Sequence, residues 1–210
     1  MKKLIILALV IAAVYAYKPE LFSFANNKGA FDEQGNAVTL VFTHNKCGKP
    51  CNDAVSLLKK RRVNYILYPL DNNDTNQALW KEYGGVNSFP NIIVGNERAY
   101  GSNKSRIVSA LAMNYGTSFL NSTERYYMKK HFHDDGSNRL VMYAASWCGY
   151  CKKLRETLND NNVDYVEIDV EKSSQPKAMT AALDITGYPL VYYGYKRLEG
   201  PRPRDVMALF

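Results

Sequence analysis

Leu140-Val141-Met142-Tyr143-Ala144-Ala145-Ser146-Trp147-Cys148-Gly149-Tyr150-Cys151 decides the fold. Its first five residues are a continuous apolar run suited to a buried strand. From Cys151 onward the period changes, and Cys151, Leu154 and Leu158 share one helical face. The same grammar occurs earlier in the chain. Val38-Thr39-Leu40-Val41-Phe42 reads as a strand, Cys47-Gly48-Lys49-Pro50-Cys51 follows, and Ala54, Leu57 and Leu58 mark a helix face. The two pairs use all 4 cysteines of the 210-residue chain. Each is followed by an aromatic–proline step, Phe89-Pro90 and Tyr188-Pro189, at nearly equal distance. Cys47 to Cys148 is 101 residues and Pro90 to Pro189 is 99. A repeat of this length predicts two copies of one domain rather than a solenoid.

Within the first copy, 64–70 predicts a second strand, and Asp74 caps a helix that runs to about Tyr83, where Gly84-Gly85 stops it. Phe89-Pro90 leads into the strand Asn91-Ile92-Ile93-Val94, Gly95-Asn96 signals a hairpin, and 105–113 closes the unit as an amphipathic helix. In the second copy 164–170 is the next strand, and Ser173 or Ser174 caps a helix. Tyr188-Pro189 enters the strand Leu190-Val191-Tyr192-Tyr193, and a short helix follows from Arg204.

This order, with its motifs, resembles the thioredoxin-like fold and specifically glutaredoxin. The second unit carries Cys148-Gly149-Tyr150-Cys151 after a strand, then Asp164-Tyr165-Val166-Glu167-Ile168-Asp169-Val170, and Tyr188-Pro189 where that family places a cis-proline. The first resembles glutaredoxin through Gly85-Val86-Asn87-Ser88-Phe89-Pro90 and Tyr100-Gly101-Ser102. Trp147 is a thioredoxin feature. The resemblance implies an α/β chain of two tandem thioredoxin-like (glutaredoxin-type) domains, each a four-stranded mixed sheet with flanking helices. It also implies thiol–disulfide oxidoreductase activity.

The chemistry needs an attacking thiolate and a second thiol to resolve the mixed disulfide. Cys148, at a helix start, feels the positive end of the helix dipole and is the expected nucleophile; Cys151, one turn later, is the resolving thiol. Cys47 and Cys51 form a second candidate pair, with Pro50 in the first helical turn and Cys47 in a widened loop. Trp147, Tyr150, Tyr188, Pro189, Phe89 and Pro90 are the expected substrate-binding residues, the two prolines being cis by resemblance. His44 reads as an ordinary strand-end histidine. No metal or cofactor is expected: 97 positions between Cys51 and Cys148 is not a zinc-module spacing, and His131-Phe132-His133 reads as solvated linker.

Glutaredoxins usually carry Thr-Val-Pro and a later Gly-Gly with an acidic helix start, where this chain has Gly187-Tyr188-Pro189 and Glu199-Gly200-Pro201. Met142 stands where thioredoxin has a buried acid. Protein thiols and disulfides are therefore the expected partners, with glutathione the alternative. A non-catalytic interaction module with static disulfides is the rival reading.

Lys2-Lys3, the apolar run 4–14 and Val14-Tyr15-Ala16 have the form of a signal peptide cleaved after Ala16. An uncleaved anchor extending through Tyr17 is the alternative. Export, and a bacterial periplasm in particular, makes disulfides the first reading of the cysteines. The expected organisation is 1–16 signal peptide, 17–36 an N-terminal segment, 37–115 the first domain, 116–137 a polar linker and 138–210 the second domain. Net charge is +7, or +5 without Lys2 and Lys3, and the basic residues are scattered. Lys59-Lys60-Arg61-Arg62 reads as a solvated helix end, so no nucleic-acid partner is expected, and no membrane span beyond the signal. Asn73-Asp74-Thr75, Asn103-Lys104-Ser105 and Asn121-Ser122-Thr123 match the glycosylation pattern, as several segments of an Asn-rich chain do by accident.

Overall fold

A computed structural model describes residues 28–210; the expected signal peptide lies outside the described residues. The first module has strands β1 (Thr39–Thr43), β2 (Ile66–Pro69), β3 (Asn91–Val94) and β4 (Glu97–Tyr100). Its helices are α1 (Lys49–Lys60), α2 (Asp74–Glu82) and α3 (Lys104–Tyr115). A short helix α4 (Ser122–Met128) joins it to the second module. That module repeats the order with β5 (Leu140–Ala144), α5 (Gly149–Asp160), β6 (Val166–Asp169), α6 (Pro176–Leu183), β7 (Leu190–Tyr193), β8 (Lys196–Glu199) and α7 (Pro203–Met207).

The sheet orders are β2-β1-β3-β4 and β6-β5-β7-β8. In each, the first two strands pair in parallel, joined by the helix that follows the first cysteine of the pair, and the other pairings are antiparallel. The two sheets are the mixed four-stranded sheets of tandem thioredoxin-like domains. The central strands β1, β3, β5 and β7 are buried on both faces, as their unbroken apolar runs require. In the second module Leu140, Met142 and Val191 face α5 and α7, while Val141, Tyr143 and Tyr192 face the opposite layer.

The repeat reaches further toward the N-terminus than the strands. Phe31 bridges Ala37 and Phe132 bridges Asn138. Val38 N donates to Ala30 O, and Arg139 N to His131 O, so the same lead-in turn precedes both sheets. Ala30, part of the unassigned N-terminal segment, is fully buried in this way.

Five expectations change, the last of them at the start of α2. The 116–137 segment is not a solvated linker: Glu124, Tyr127, Met128 and His131 are buried against the second module and α3. Arg61 is not a solvated cation, because its guanidinium grips Glu124 with two bonds of 2.7 Å and also donates to Phe119 O. Its side chain is 10% exposed and that of Glu124 0%. α3 is buried on two sides rather than amphipathic, with Ile107, Ala110 and Leu111 in the first module's core and Val108 and Ala112 in the second's. Neither Ser173 nor Ser174 caps α6; Gln175 precedes it and Pro176 starts it, since a proline's fixed φ and missing N–H suit the first helical position.

Helix starts also account for the glycosylation-like triplets. Asn73, and not Asp74, caps α2 by accepting from Asn76 N; Asn103 caps α3 through Arg106 N, and Asn121 caps α4 through Glu124 N. Asn is among the strongest N-cap residues.

Helix ends are held by a duplicated arginine. Arg197 of β8 donates to Leu183 O and to Asp184 O (2.9 Å) beyond α6, and to the Tyr192 hydroxyl (2.9 Å). Arg98 of β4 donates to Tyr83 O (3.4 Å) beyond α2, and to Lys28 O (2.9 Å). Cations at exposed helix carbonyls are favoured by both hydrogen bonding and the dipole.

Candidate active sites

β5 delivers the chain to Cys148, whose N–H donates to Ala145 O (3.0 Å) and which caps α5. Its Sγ accepts the Cys151 N–H at 3.1 Å and is disulfide-bonded to Cys151, with 5.3 Å between the Cα atoms. Cys148 is 7% exposed and Cys151 0%, so any reagent approaching from solvent reaches Cys148 first. The cystine packs with Ala144, Ala145, Leu154 and Val191, and Met142 belongs to the same apolar cluster. Tyr188–Pro189 is cis, Pro189 is buried, and Tyr188 leans on that cluster.

Around the cystine two aromatic side chains stand out into solvent, Trp147 at 70% exposure and Tyr150 at 76%. The Trp147 ring meets the Tyr188 ring edge-on at 5.8 Å. Its indole N–H donates to both carboxylate oxygens of Glu171, at 3.0 and 3.1 Å. Burial, and then the Glu171 and Asp169 carboxylates, push the Tyr188 phenol above its ordinary range. Sequence reasoning missed Glu171. Its signal was the repeat itself, because Asp71 occupies the matching place after β2.

Asp71 does related work in the first module: it accepts Asn45 N–H at 2.7 Å and lies 3.5 Å from His44 Nε2. His44 Nδ1 accepts the Lys46 N–H (3.1 Å), so the imidazole braces the turn before Cys47 as a strand-end residue. Cys47 ends a short 3-10 turn, Asn45–Cys47, and Gly48, at φ 56°, is the residue that caps α1. A side chain at that left-handed position would be strained. The extra residue therefore puts Cys47 outside the helix, where Cys148 is itself the cap. Pro50 sits in the first turn of α1 as expected. Cys47 is half-buried, Cys51 buried, and the two are disulfide-bonded with Cα atoms 5.7 Å apart. Phe89–Pro90 is also cis. Phe89 stacks between His44 and Trp80, each 5.8 Å away, while the Trp80 indole N–H is turned inward to Asn91 Oδ1 (2.9 Å).

Cys148, Cys151 and Tyr188 thus share one apolar cluster, with Trp147 against Tyr188, Tyr150 exposed beside Cys151 and Pro189 buried after Tyr188; in the first module Phe89 reaches His44, which braces the turn before Cys47, and Pro90 is buried after Phe89. Each cystine closes within its own module. Both His131 ring nitrogens are engaged within the fold: Nδ1 meets Gly194 O (3.1 Å), Nε2 meets the Tyr143 hydroxyl (2.8 Å), and the ring stacks on Tyr192 at 4.3 Å. No cluster of metal-ligating side chains is present among the described residues.

A glutaredoxin family model matches residues 39–99 and 140–197, more than half of the chain. A protein named "Probable protein disulfide-isomerase A6" from Medicago sativa is 30% identical over 99 residues, 42% of this chain and 27% of that protein. A protein disulfide-isomerase from Ricinus communis is 28% identical over 90 residues, 37% of this chain and 18% of that protein. This chain therefore spans well under half the length of these curated relatives. Among solved structures, a buckwheat glutaredoxin–glutathione complex is 25% identical, covering 42% of this chain and 83% of that one at a TM-score of 0.33. Two matched regions, each holding one cysteine pair between a parallel strand pair and followed by a cis-proline, place this chain in the glutaredoxin family in duplicate.

Proposed function

We propose that the chain is an exported thiol–disulfide oxidoreductase that exchanges disulfides with protein substrates through Cys148 and Cys151, with Cys47 and Cys51 as a second redox pair. The observation that carries this is the asymmetric cystine at the start of α5. Cys148 is the slightly exposed sulfur, its Sγ receiving a backbone N–H, and Cys151 is sealed behind it. A sulfur at a helix N-terminus is a good leaving group and a good nucleophile, because the dipole and the N–H favour its anion.

In the oxidising direction a substrate thiolate attacks Cys148 Sγ and breaks the Cys148–Cys151 bond. Cys151 leaves as a thiolate and takes a proton. A second substrate thiolate then attacks the substrate sulfur of the mixed disulfide, forming the substrate disulfide and releasing Cys148. Two electrons and two protons pass from substrate to protein. Reduction of a substrate runs the same steps backward from the dithiol. Pro189 keeps the backbone before it open to an extended partner chain, and Trp147, Tyr150 and Tyr188 flank that path; Phe89 and Pro90 are the matching positions at the first cystine. The signal-like N-terminus supports a periplasmic setting, where oxidised cysteines persist. No helix among the described residues is long and apolar enough to cross a membrane. Protein partners are preferred to glutathione because the family's Thr-Val-Pro and Gly-Gly signatures are replaced.

The test is a redox titration of the processed protein, with alkylation and mass spectrometry reporting each pair separately. Exchange of Cys148–Cys151 is expected between about −120 mV, the range of an oxidant, and about −270 mV, that of a reductant. Cys151→Ser should then trap substrate on Cys148. If neither pair exchanges across that range, the disulfides are static and the chain is a binding module. Rapid mixed-disulfide formation with glutathione, in preference to protein thiols, would move the reading to a glutathione-dependent enzyme. N-terminal sequencing should find Tyr17 first.

A further inference from the structure

The two cystines share a fold but not a surface. At the second, Trp147 stands immediately before the reactive sulfur and Tyr150 between the two cysteines, both projecting into solvent. At the first, Lys46 precedes Cys47, and Lys49 and Pro50 stand before Cys51; both lysines are exposed, with Lys49 paired to Asp53 at 2.6 Å. Phe89 there is half-buried between His44 and Trp80, and Trp80 is committed inward to Asn91. One module turns its tryptophan into its own structure; the other holds its tryptophan out.

An indole that is 70% exposed would ordinarily sample several rotamers, since only its edge contact with Tyr188 restrains it. The Glu171 carboxylate removes that freedom by accepting the Nε1–H with both oxygens. The Glu171 backbone is held in turn, because its N–H donates to Asp169 Oδ1 at 3.1 Å. An aromatic shelf made rigid before the partner arrives binds more tightly than a mobile one, as the ordering cost has already been met.

Resting on the thiol-exchange reading above, we propose that Glu171 is a positioning residue that fixes Trp147 against Tyr188 as an aromatic shelf. The shelf makes the Cys148–Cys151 site select chains with an aromatic residue beside the reacting cysteine, and the Cys47–Cys51 site makes no such selection. The two modules thus divide partners by the side chain next to the sulfur.

The experiment uses the whole processed chain, oxidised, with two peptide thiols: acetyl-Gly-Cys-Gly-amide and acetyl-Phe-Cys-Gly-amide. Two peptide thiols reduce one cystine and leave as one peptide disulfide, so electrons balance without another reagent. Quenched alkylation and mass spectrometry give a rate for each cystine. The Phe-to-Gly rate ratio is expected to be about three- to tenfold at Cys148–Cys151, the range of one aromatic pair, and near one at Cys47–Cys51. Trp147→Ala and Glu171→Ala should each bring the first ratio toward one. Glu171→Gln, which keeps a carbonyl acceptor but no charge, should retain most of it. A merely structural loss would slow both peptides together and leave the ratio intact. Equal ratios at both cystines, or a ratio unmoved in Glu171→Ala, overturn the proposal while leaving the oxidoreductase standing. If no peptide thiol reduces either cystine, both fall together.

Discussion

Acidification should unlock the second module through one buried histidine. His131 is fully enclosed, and burial, opposed by its bond to Gly194 O and assisted by Lys130, holds its imidazole down at about 3 instead of 6.5. The neutral ring is what the site accommodates: one nitrogen donates to Gly194 O, the other accepts from the Tyr143 hydroxyl, and neither has room for a second proton. The unfolded chain takes up that proton near pH 6.5, the folded chain only near 3. The resulting stability is complete above 6.5 and is lost as pH falls from there toward 3. At about 1.4 kcal/mol per pH unit, the loss reaches about 2 kcal/mol by pH 5. Urea unfolding of the wild type and of His131→Gln at pH 7.5, 6 and 5 isolates it, because every other titrating group cancels in the difference. The stability gap between the two proteins should narrow by about 2 kcal/mol between pH 7.5 and 5. A gap independent of pH, or a His131 ring resonance that titrates near 6.5 in the folded protein, would refute the reasoning.

Four further outcomes are expected. Arg61→Ala should cost about 3–5 kcal/mol in chemical denaturation, because it leaves the enclosed Glu124 carboxylate without its main partner, whereas Arg61→Met with Glu124→Leu should recover much of that loss. In Glu124 burial raises the carboxyl but the Arg61 and Asn121 bonds and the Arg61 and Lys104 charges outweigh it, so its contribution is present at neutral pH and fades below the ordinary glutamate range; acid unfolding of Glu124→Gln should lack that component. Arg197→Ala should destabilise by about 1.5–3 kcal/mol, read as a lower urea midpoint, since it strips a charged donor from the end of α6. Asn103→Ala should cost about 1 kcal/mol in the same assay, and Asn103→Asp little, as expected of a helix cap.

The parts of the fold that were legible in the sequence are those written locally. A buried central strand needs an unbroken apolar run, so Leu140–Ala144 shows itself; a helix face repeats every three or four residues, so Cys151, Leu154 and Leu158 do too. Proline position was legible because the repeat displayed it twice. What escaped was written at a distance. Glu124 and His131 look like solvated linker because their partners, Arg61 and Gly194, each lie 63 residues away. Alternation in 105–113 suggested one apolar face, and nothing local reveals that a second module occupies the other side of α3. Glu171 was missed for the same reason: its partner Trp147 is on another element 24 residues earlier. The serines before α6 mimic a cap, but Pro176 determines where that helix can start.

The sharing of α3 has a consequence for how the molecule is made. All residues that build the first module's core are translated before Leu140, so α3 can be seated on its own sheet while the second module is still emerging. When β5 and β7 arrive, Val108 and Ala112 already stand as part of the wall against which Val141, Tyr143 and Tyr192 close. The dependence is unequal. Without its successor the first cystine module uncovers Val108 and Ala112 of α3, while the second, cut free at residue 138, would lose α3, α4 and His131 from its back layer and present that apolar face to water. The N-terminal copy is in this sense a resident folding template, and the duplication is a sequence of events as well as a repeat of shape.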